Sequence, residues 1–351
     1  YNMTVLEGDD EMFNQRRKIY EQIERERNTR VIAYVTSNRQ GLETQIGADV
    51  PDILLEHLDQ IGSVQKISLI LYTLGGDTLA AWNIVNLIRE FCKEFEIIVP
   101  NKCRSAGTLM ALGANNIIMT KQATLGPIDP SLNSPMNPII PNSNPPTKLP
   151  VSVESVKGYF AMLKKEVGVQ TNKALSEAYL KLTETVNPLV LGDIYRRKNQ
   201  IIMLAGQLLN MHSVTKSTAE KIISFLCSDS GSHDYTINRT EARNLGLPIE
   251  SPTDHLYQLL KSWHTDVIGE LEINKPYLPQ NEFGENNEIS YCYKRAIIES
   301  ISRGEDNFIS EGRLSKNVVR MQMGPMQCQI QDDRKFDGWR LTTSVKRKGN
   351  C

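Results

Sequence analysis

At 351 residues the chain exceeds a typical single domain, so it has room for one large core with an appended region or for two cores. Its 40 Lys and Arg stand against 41 Asp and Glu, a formal net charge of -1, and no overall field selects nucleic acid or an anionic membrane. The 6 cysteines form neither a CxxC pair nor a short Cys/His cluster, which argues against a zinc site and fits free thiols in a reducing compartment.

No apolar run approaches the ~20 residues that span a bilayer, and the N-terminus lacks a basic-then-apolar leader. The expectation is a soluble, cytoplasmic protein with no membrane span, no metal and no cofactor. A basic run at Lys346-Arg347-Lys348 reads as a solvated tail.

In chain order, Asp9 to Asn28 is rich in Glu, Arg and Gln with sparse apolar positions, which predicts a largely solvated helix packed through a narrow stripe. Arg30 to Thr36 reads as a strand. Pro51 suits a first helical turn, and Ile53, Leu54, Leu55, Leu58 and Ile61 continue that helix. Ile67 to Tyr72 is almost continuously apolar, as a parallel strand covered on both faces must be.

A helix follows over Thr78 to Cys92, where Leu79, Trp82, Val85 and Ile88 recur every third residue and Ile84, Leu87 and Phe91 widen the stripe, then a strand at Glu96 to Pro100, a short helix at Ser105 to Gly113 and a strand at Asn116 to Thr120. Repeated strand-helix-strand units imply right-handed crossovers and one mostly parallel sheet.

Gly126 to Pro150 is crowded with Pro and Asn and reads as a long functional or disordered loop. Helices are expected at Val151 to Glu166, Lys173 to Val186, Leu189 to Met211, Ser217 to Leu226, Arg239 to Leu245 and Asp254 to Trp263. Beyond Gly269 the character changes again. Met321 to Gln329 and Trp339 to Val345 suggest a strand pair joined around Asp332-Asp333-Arg334-Lys335, although Pro325 sits inside the first run. The division expected is an N-terminal helical segment (1–29), a catalytic α/β domain (30–268) and an appended C-terminal region (269–351).

The chemistry gathers at two strand ends. After the apolar strand comes Thr73-Leu74-Gly75-Gly76-Asp77, where two glycines let backbone N–H groups approach a carbonyl oxygen without a Cβ in the way. After the next strand comes Ser105-Ala106-Gly107, a serine opening a small-residue helix whose first N–H groups are free to hold a developing oxyanion. Each piece also has a plain reading, an ordinary strand-to-helix turn for the glycines and an N-cap for Ser105.

Together, Tyr72 to Asp77, Ser105 to Ala114, Ile117-Ile118-Met119 and Thr124-Leu125-Gly126-Pro127-Ile128-Asp129-Pro130 resemble the serine dehydrogenase proteinase family, which belongs with the ClpP/crotonase superfamily of serine peptidases and is related to signal peptide peptidase A. The resemblance runs from about Arg30 to Leu247. It implies a ClpP/crotonase-like α/β fold, an ATP-independent serine peptidase acting on a peptide or protein substrate, and a homo-oligomer. By the same resemblance Ser105 is the nucleophile, with Gly75, Gly76 and Ala106 around the oxyanion hole. Leu74 stands where the related peptidases usually carry Pro.

The base stays open at this level. No His occupies the Clp-like place near Ile128-Asp129, so three arrangements compete: His233 oriented by Asp129 or Asp234, Lys157 at the start of a helix, and Lys148 in the Pro-rich loop. The other histidines, His57, His212, His255 and His264, read as structural. Two rival functions remain, a crotonase-like acyl-CoA hydratase or isomerase and a catalytically degenerate scaffold. The solvated N-terminal helix and the appended C-terminal region are the expected contacts of an oligomer.

Overall fold

A computed structural model of the chain describes residues 6–128, 131–132, 135–141, 143, 146–212, 214–229, 234–320 and 326–344. These divide into two compact units, Tyr1–Thr124 with Pro248–Cys351 and Leu125–Leu247.

The first unit opens with α1 (Leu6–Arg27), β1 (Arg30–Thr36), α2 (Val50–Ile61), β2 (Val64–Tyr72), α3 (Thr78–Phe91), β3 (Cys92–Val99), β4 (Lys102–Cys103), α4 (Ala106–Leu112) and β5 (Asn116–Met119), and reaches the boundary at β6 (Thr124–Leu125). The second unit holds a short antiparallel pair, β7 (Ser131–Leu132) with β8 (Val151–Ser152). Its helices are α5 (Val153–Lys165), α6 (Asn172–Thr183), α7 (Pro188–Leu209) and α8 (Lys216–Ser224), followed by a π-helical turn over Phe225–Asp229, β9 (Ile237–Asn238) and α9 (Arg239–Leu245). The chain then returns to the first unit through β10 (Ile249–Glu250), α10 (Asp254–Glu270), α11 (Pro279–Glu282), β11 (Glu288–Ser300), β12 (Gly304–Arg320) and β13 (Met326–Ser344).

One eight-stranded sheet, in the order β10-β5-β3-β2-β1-β11-β12-β13, carries the first unit. Its pairings from β10 to β1 are parallel, and those from β1 to β13 are antiparallel. The central strands are apolar on both sides because both faces are covered. Val31, Ala33, Val35, Ile70, Ile98 and Ile118 meet Phe13, Tyr20 and Ile23 of α1 and Leu256, Leu260 and Trp263 of α10 in one buried cluster, while the alternate residues Ile32, Tyr34, Leu69, Leu71 and Ile97 point the other way and are equally buried. Each such aliphatic or aromatic side chain contributes about 1.5–3 kcal/mol when fully withdrawn from water.

Residues 269–351 supply β11, β12 and β13 to the same sheet as β1, which pairs Ile32 to Thr36 with Ser300 to Ala296. The strand pair expected from Met321 to Val345 takes another form: Met326–Ser344 is one continuous strand against β12, and Asp332, Asp333 and Arg334 are mid-strand partners of Leu314, Arg313 and Gly312. Their charges suggested a turn because β13 is the outermost strand and exposes them to water. Residues 321–325 lie outside the described ones.

α1 is also less solvated than its composition suggests. Arg16 is completely buried, with Nε 3.0 Å from Glu299 Oε1 and Nη1 2.5 Å from Asp266 Oδ2. In α3 the buried stripe is Ala80, Ala81, Ile84, Val85 and Ile88, whereas Leu79 is exposed and Trp82 half-buried. Ile84, Val85 and Ile88 of the expected stripe are thus buried, and the face turns toward Ala80 and Ala81 because alternating steps of three and four, not a row of threes, hold one side of a helix. His57, read as structural, is buried between Ser300 Oγ at 2.8 Å and Asp306 Oδ2 at 3.0 Å.

Candidate active site

β2 ends in a turn that Thr73 builds. The Thr73 hydroxyl receives a hydrogen bond from Thr36 Oγ1 at 2.8 Å and another from the Gly75 N–H at 3.0 Å. Gly75 and Gly76 follow with φ of 117° and 147°, a region that disfavours any side chain. Space excludes one as well. A Cβ on Gly76 would lie 2.4 Å from the Ile46 N and O atoms. Ile46 N donates to Gly75 O at 2.9 Å and Asp77 N donates to Ile46 O at 2.8 Å. This parallel bridge uses the backbone groups on either side of Gly76 and turns the Gly76 N–H away from Ile46. Asp77 caps α3 by accepting from Ala80 N at 2.7 Å, which commits it to the scaffold.

The serine arrives on the neighbouring segment. Thr73 N donates to Lys102 O at 2.9 Å and Arg104 N donates to Thr73 O at 3.1 Å, so β4 is stitched to the glycine turn immediately before Ser105. Ser105 itself has φ 50° and ψ -117° and makes no side-chain cap bond to α4. The N-cap reading therefore fails, and a non-glycine residue is held in a conformation that costs on the order of 1–3 kcal/mol. Sharp turns of this kind between strand and helix push a serine hydroxyl out of the chain. Gly107 lets α4 start hard against the turn, since a Cβ there would sit 2.5 Å from Thr73 Cγ2.

Ser105 and the Gly75-Gly76 turn thus lie side by side in one unit, whereas in the first α4 turn, expected to offer free N–H groups, that of Gly107 donates to Arg104 O at 2.8 Å. Chemically, the serine and the glycine turn suit attack on a carbonyl and stabilisation of the oxyanion that forms. Cys103, two residues earlier, is fully buried, and burial pushes its thiol far above the ordinary range, so it is no rival nucleophile.

Lys148, Lys157 and Asp234 belong to the second unit, and Asp129 and His233 lie outside the described residues. Lys148 is exposed, and its Nζ donates to Pro135 O. Lys157 is half-buried on α5 with Nζ 3.4 Å from Glu154 Oε1. Burial together with the Lys157 charge lowers the basicity of Lys198. Asp234 is exposed in a turn.

Two groups of the first unit escaped the sequence reading. Burial and the Arg104 charge lower the basicity of Lys102, while burial and the Lys102 charge do the same to His264, whose ring lies 5.6 Å from that of Tyr72. No spacing signal links His264 to Lys102; only folding brings α10 to β4. Among the described residues no cluster of His, Cys, Asp and Glu is arranged to hold a metal, and no helix is long and apolar enough to cross a membrane.

Residues 9–143 match the family described as ClpP-like SDH-type serine proteinase. Two proteins of Methanocaldococcus jannaschii are similar to the chain. The uncharacterized protein MJ0137 is 29% identical over 205 residues, which cover 58% of this chain and 60% of the relative. The uncharacterized protein MJ1495 is 27% identical over 252 residues, 68% of this chain and 73% of the relative. The match thus spans less than two thirds of the length of MJ0137.

Among solved structures, a variant of the 1510-N membrane-bound stomatin-specific protease aligns over 66% of this chain and 84% of its own, at 18% identity and a TM-score of 0.38. ClpP1 from Listeria monocytogenes aligns over 67% of this chain and 99% of its own, at 14% identity and a TM-score of 0.36.

Proposed function

We propose that this chain, whose residues 9–143 match the ClpP-like SDH-type serine proteinases, is an ATP-independent serine peptidase that cleaves peptide bonds through an acyl-enzyme on Ser105. The observation that carries the reading is the strained Ser105 backbone, φ 50° and ψ -117°, set against a glycine turn whose Gly76 N–H is turned away from its neighbour Ile46.

In the forward step Ser105 Oγ bonds to the scissile carbonyl carbon while its proton passes to a base. The carbonyl oxygen takes the negative charge and is held by the N–H groups of Gly76 and Ala106, with Gly75 keeping the turn open. Collapse of the intermediate expels the amine, which receives the proton. Water then enters by the same route and releases the carboxylate, so no cofactor is consumed.

The base is His233, with Asp129 or Asp234 orienting its ring; Lys157 and Lys148 are the alternatives. The lowered basicity of Lys198, caused by burial and by the neighbouring Lys157, supports the lysine alternative, because two nearby amines resist double protonation. His264 and Lys102 join the test set, being biased toward their neutral forms next to β4.

A fluorophosphonate probe tests the nucleophile. Ser105→Ala abolishes labelling with the fold intact; equal labelling of the variant moves the nucleophile elsewhere, and a folded parent that never labels favours the scaffold reading. A pH series separates the bases. With His233 the rate rises through a pKa near ~6.5, whereas a lysine places the rising limb higher, toward roughly pH 8. His233→Ala removes nearly all activity in the first case. In the second, Lys157→Ala or Lys148→Ala does the damage.

A further inference from the structure

β11 lies beyond the family match at residues 9–143, and its ladder carries one irregularity. Against β12 it pairs Lys294 with Ile309 and then Ala296 with Phe308, so Arg295 is an extra residue, a β-bulge. Its pairing with β1 ends at the same place, with Ala296 opposite Thr36. A bulged residue leaves the ladder and aims its groups elsewhere. Here they go to the loop between β1 and α2, where Arg295 O accepts from Ser37 N at 2.9 Å and from Thr44 Oγ1 at 2.5 Å.

The side chain reaches the same loop. Nε donates to Leu42 O at 3.3 Å, and Nη2 donates to Glu43 O. Behind it, Nη1 donates to Ser310 Oγ of β12 at 2.9 Å and to Asp337 Oδ1 of β13 at 3.3 Å, and the guanidinium lies 5.7 Å from the centre of the Phe308 ring. Serving two successive carbonyls and a carboxylate together takes the planar fork of a guanidinium, which the compact ammonium of a lysine lacks. Farther along the loop, Trp339 Nε1 of β13 donates to Asp49 Oδ2 at 2.9 Å. The C-terminal strands thus hold the loop on both sides of Ile46, whose N and O atoms bridge Gly75 and Asp77.

The glycine turn leans on that bridge. Two glycines widen its backbone freedom, and Leu74 lacks the φ restraint of a proline. The Thr73 hydroxyl fixes Gly75 on one side of Gly76, and Ile46 fixes the other. We infer that Arg295 is a positioning residue for the oxyanion hole: from its bulge in β11 it clamps Leu42, Glu43 and Thr44, and through Ile46 it holds the Gly76 N–H toward the carbonyl that Ser105 attacks. The inference rests on the reading of Ser105 and Gly76 as the acyl-transfer site. It gives the C-terminal strands a task in that chemistry from outside the matched residues.

Two measurements on the full chain test it. Hydrogen exchange, read by mass spectrometry over peptides covering Ile46 and Asp77, requires no activity. Arg295→Ala should speed exchange of both amides by at least about tenfold through local opening. Leu314→Ala, a core change in the cluster of Leu314 with Phe283 and Tyr291, should leave them unchanged while lowering the urea midpoint. Fluorophosphonate labelling then reads the function. In Arg295→Ala the limiting rate falls roughly 10²-fold, as for a displaced donor, with the half-saturating probe concentration unchanged, and Leu314→Ala labels at the parental rate.

Should Arg295→Ala fail to fold, Arg295→Lys keeps the charge beside Asp337, loses the fork and shows the same two changes in weaker form. Unchanged exchange in the Arg295 variants overturns the clamp. Faster exchange with undiminished labelling overturns its role in the oxyanion hole, and so does a limiting rate that falls as far in Leu314→Ala. A folded parent that never labels refutes the Ser105 reading instead, and exchange alone then decides whether Arg295 holds the turn.

Discussion

The Gly75 backbone rests directly against the Ser105 side chain: a Cβ on residue 75 would lie 2.7 Å from Ser105 Cβ and 3.1 Å from its Oγ. Two motifs some thirty residues apart therefore share one van der Waals surface. Gly75→Ala must move either the glycine turn, at φ 117°, or the serine. Displacing a donor from the oxyanion position commonly costs roughly 10²–10³ in turnover. Phosphonate labelling should slow by about that factor while circular dichroism stays unchanged; an undiminished rate would mean that the turn and the serine do not act together.

Strain at Ser105 makes a second expectation. Its φ of 50° suits glycine, so Ser105→Gly should relieve a backbone cost that Ser105→Ala retains. After the extra entropy of glycine in the unfolded chain, Ser105→Gly should be more stable than Ser105→Ala by about 1 kcal/mol, read as a higher urea midpoint. The opposite order would count against strain at the elbow.

Legibility followed distance along the chain. Continuous apolar strands such as Ile67 to Tyr72, and the Gly-Gly and Ser-Ala-Gly turns at strand ends, are local patterns and stand where their sequence placed them. Arg16 did not show itself. In a helix of Glu, Arg and Gln a buried guanidinium looks like every solvated one, and its partner Glu299 is 283 positions away. β13 was misread for a related reason, since an outermost strand shares the charged composition of a turn. The base has no spacing rule at all, because only tertiary contact decides which of His233, Lys157 and Lys148 reaches a serine.

Arg16 is the hub of that hidden cluster. Its guanidinium faces Asp266, Glu270, Glu299 and Glu305, with Lys294 beside Glu270 and Glu305. Arg16→Met leaves buried carboxylates without their cation and should destabilise the protein by about 3–5 kcal/mol. Pairing it with Glu299→Gln should cost less than the sum of the two single changes, because both remove one interaction. Urea denaturation of the four proteins measures this; strict additivity would show that Arg16 and Glu299 are not coupled.

The same cluster makes stability depend on pH. Burial, with the Glu299 and Glu270 charges behind it, pushes the Glu305 carboxyl up to about 8 from an ordinary 4.5. Between those values the folded chain keeps a proton that the unfolded chain has released. The unfolded state then binds fewer protons, and stability falls as pH rises through the window and levels off above about 8. Below 4.5 both states are protonated and the loss is absent. Glu305→Gln carries a neutral amide at every pH, still able to accept from Asn307 Nδ2. Its stability relative to the parent should therefore climb between pH 5 and pH 8, by an amount on the order of a few kcal/mol. Denaturant midpoints across that range measure the difference. Parallel curves for parent and variant would mean that Glu305 is already ionised in the folded protein, with Arg16 and Lys294 offsetting its burial.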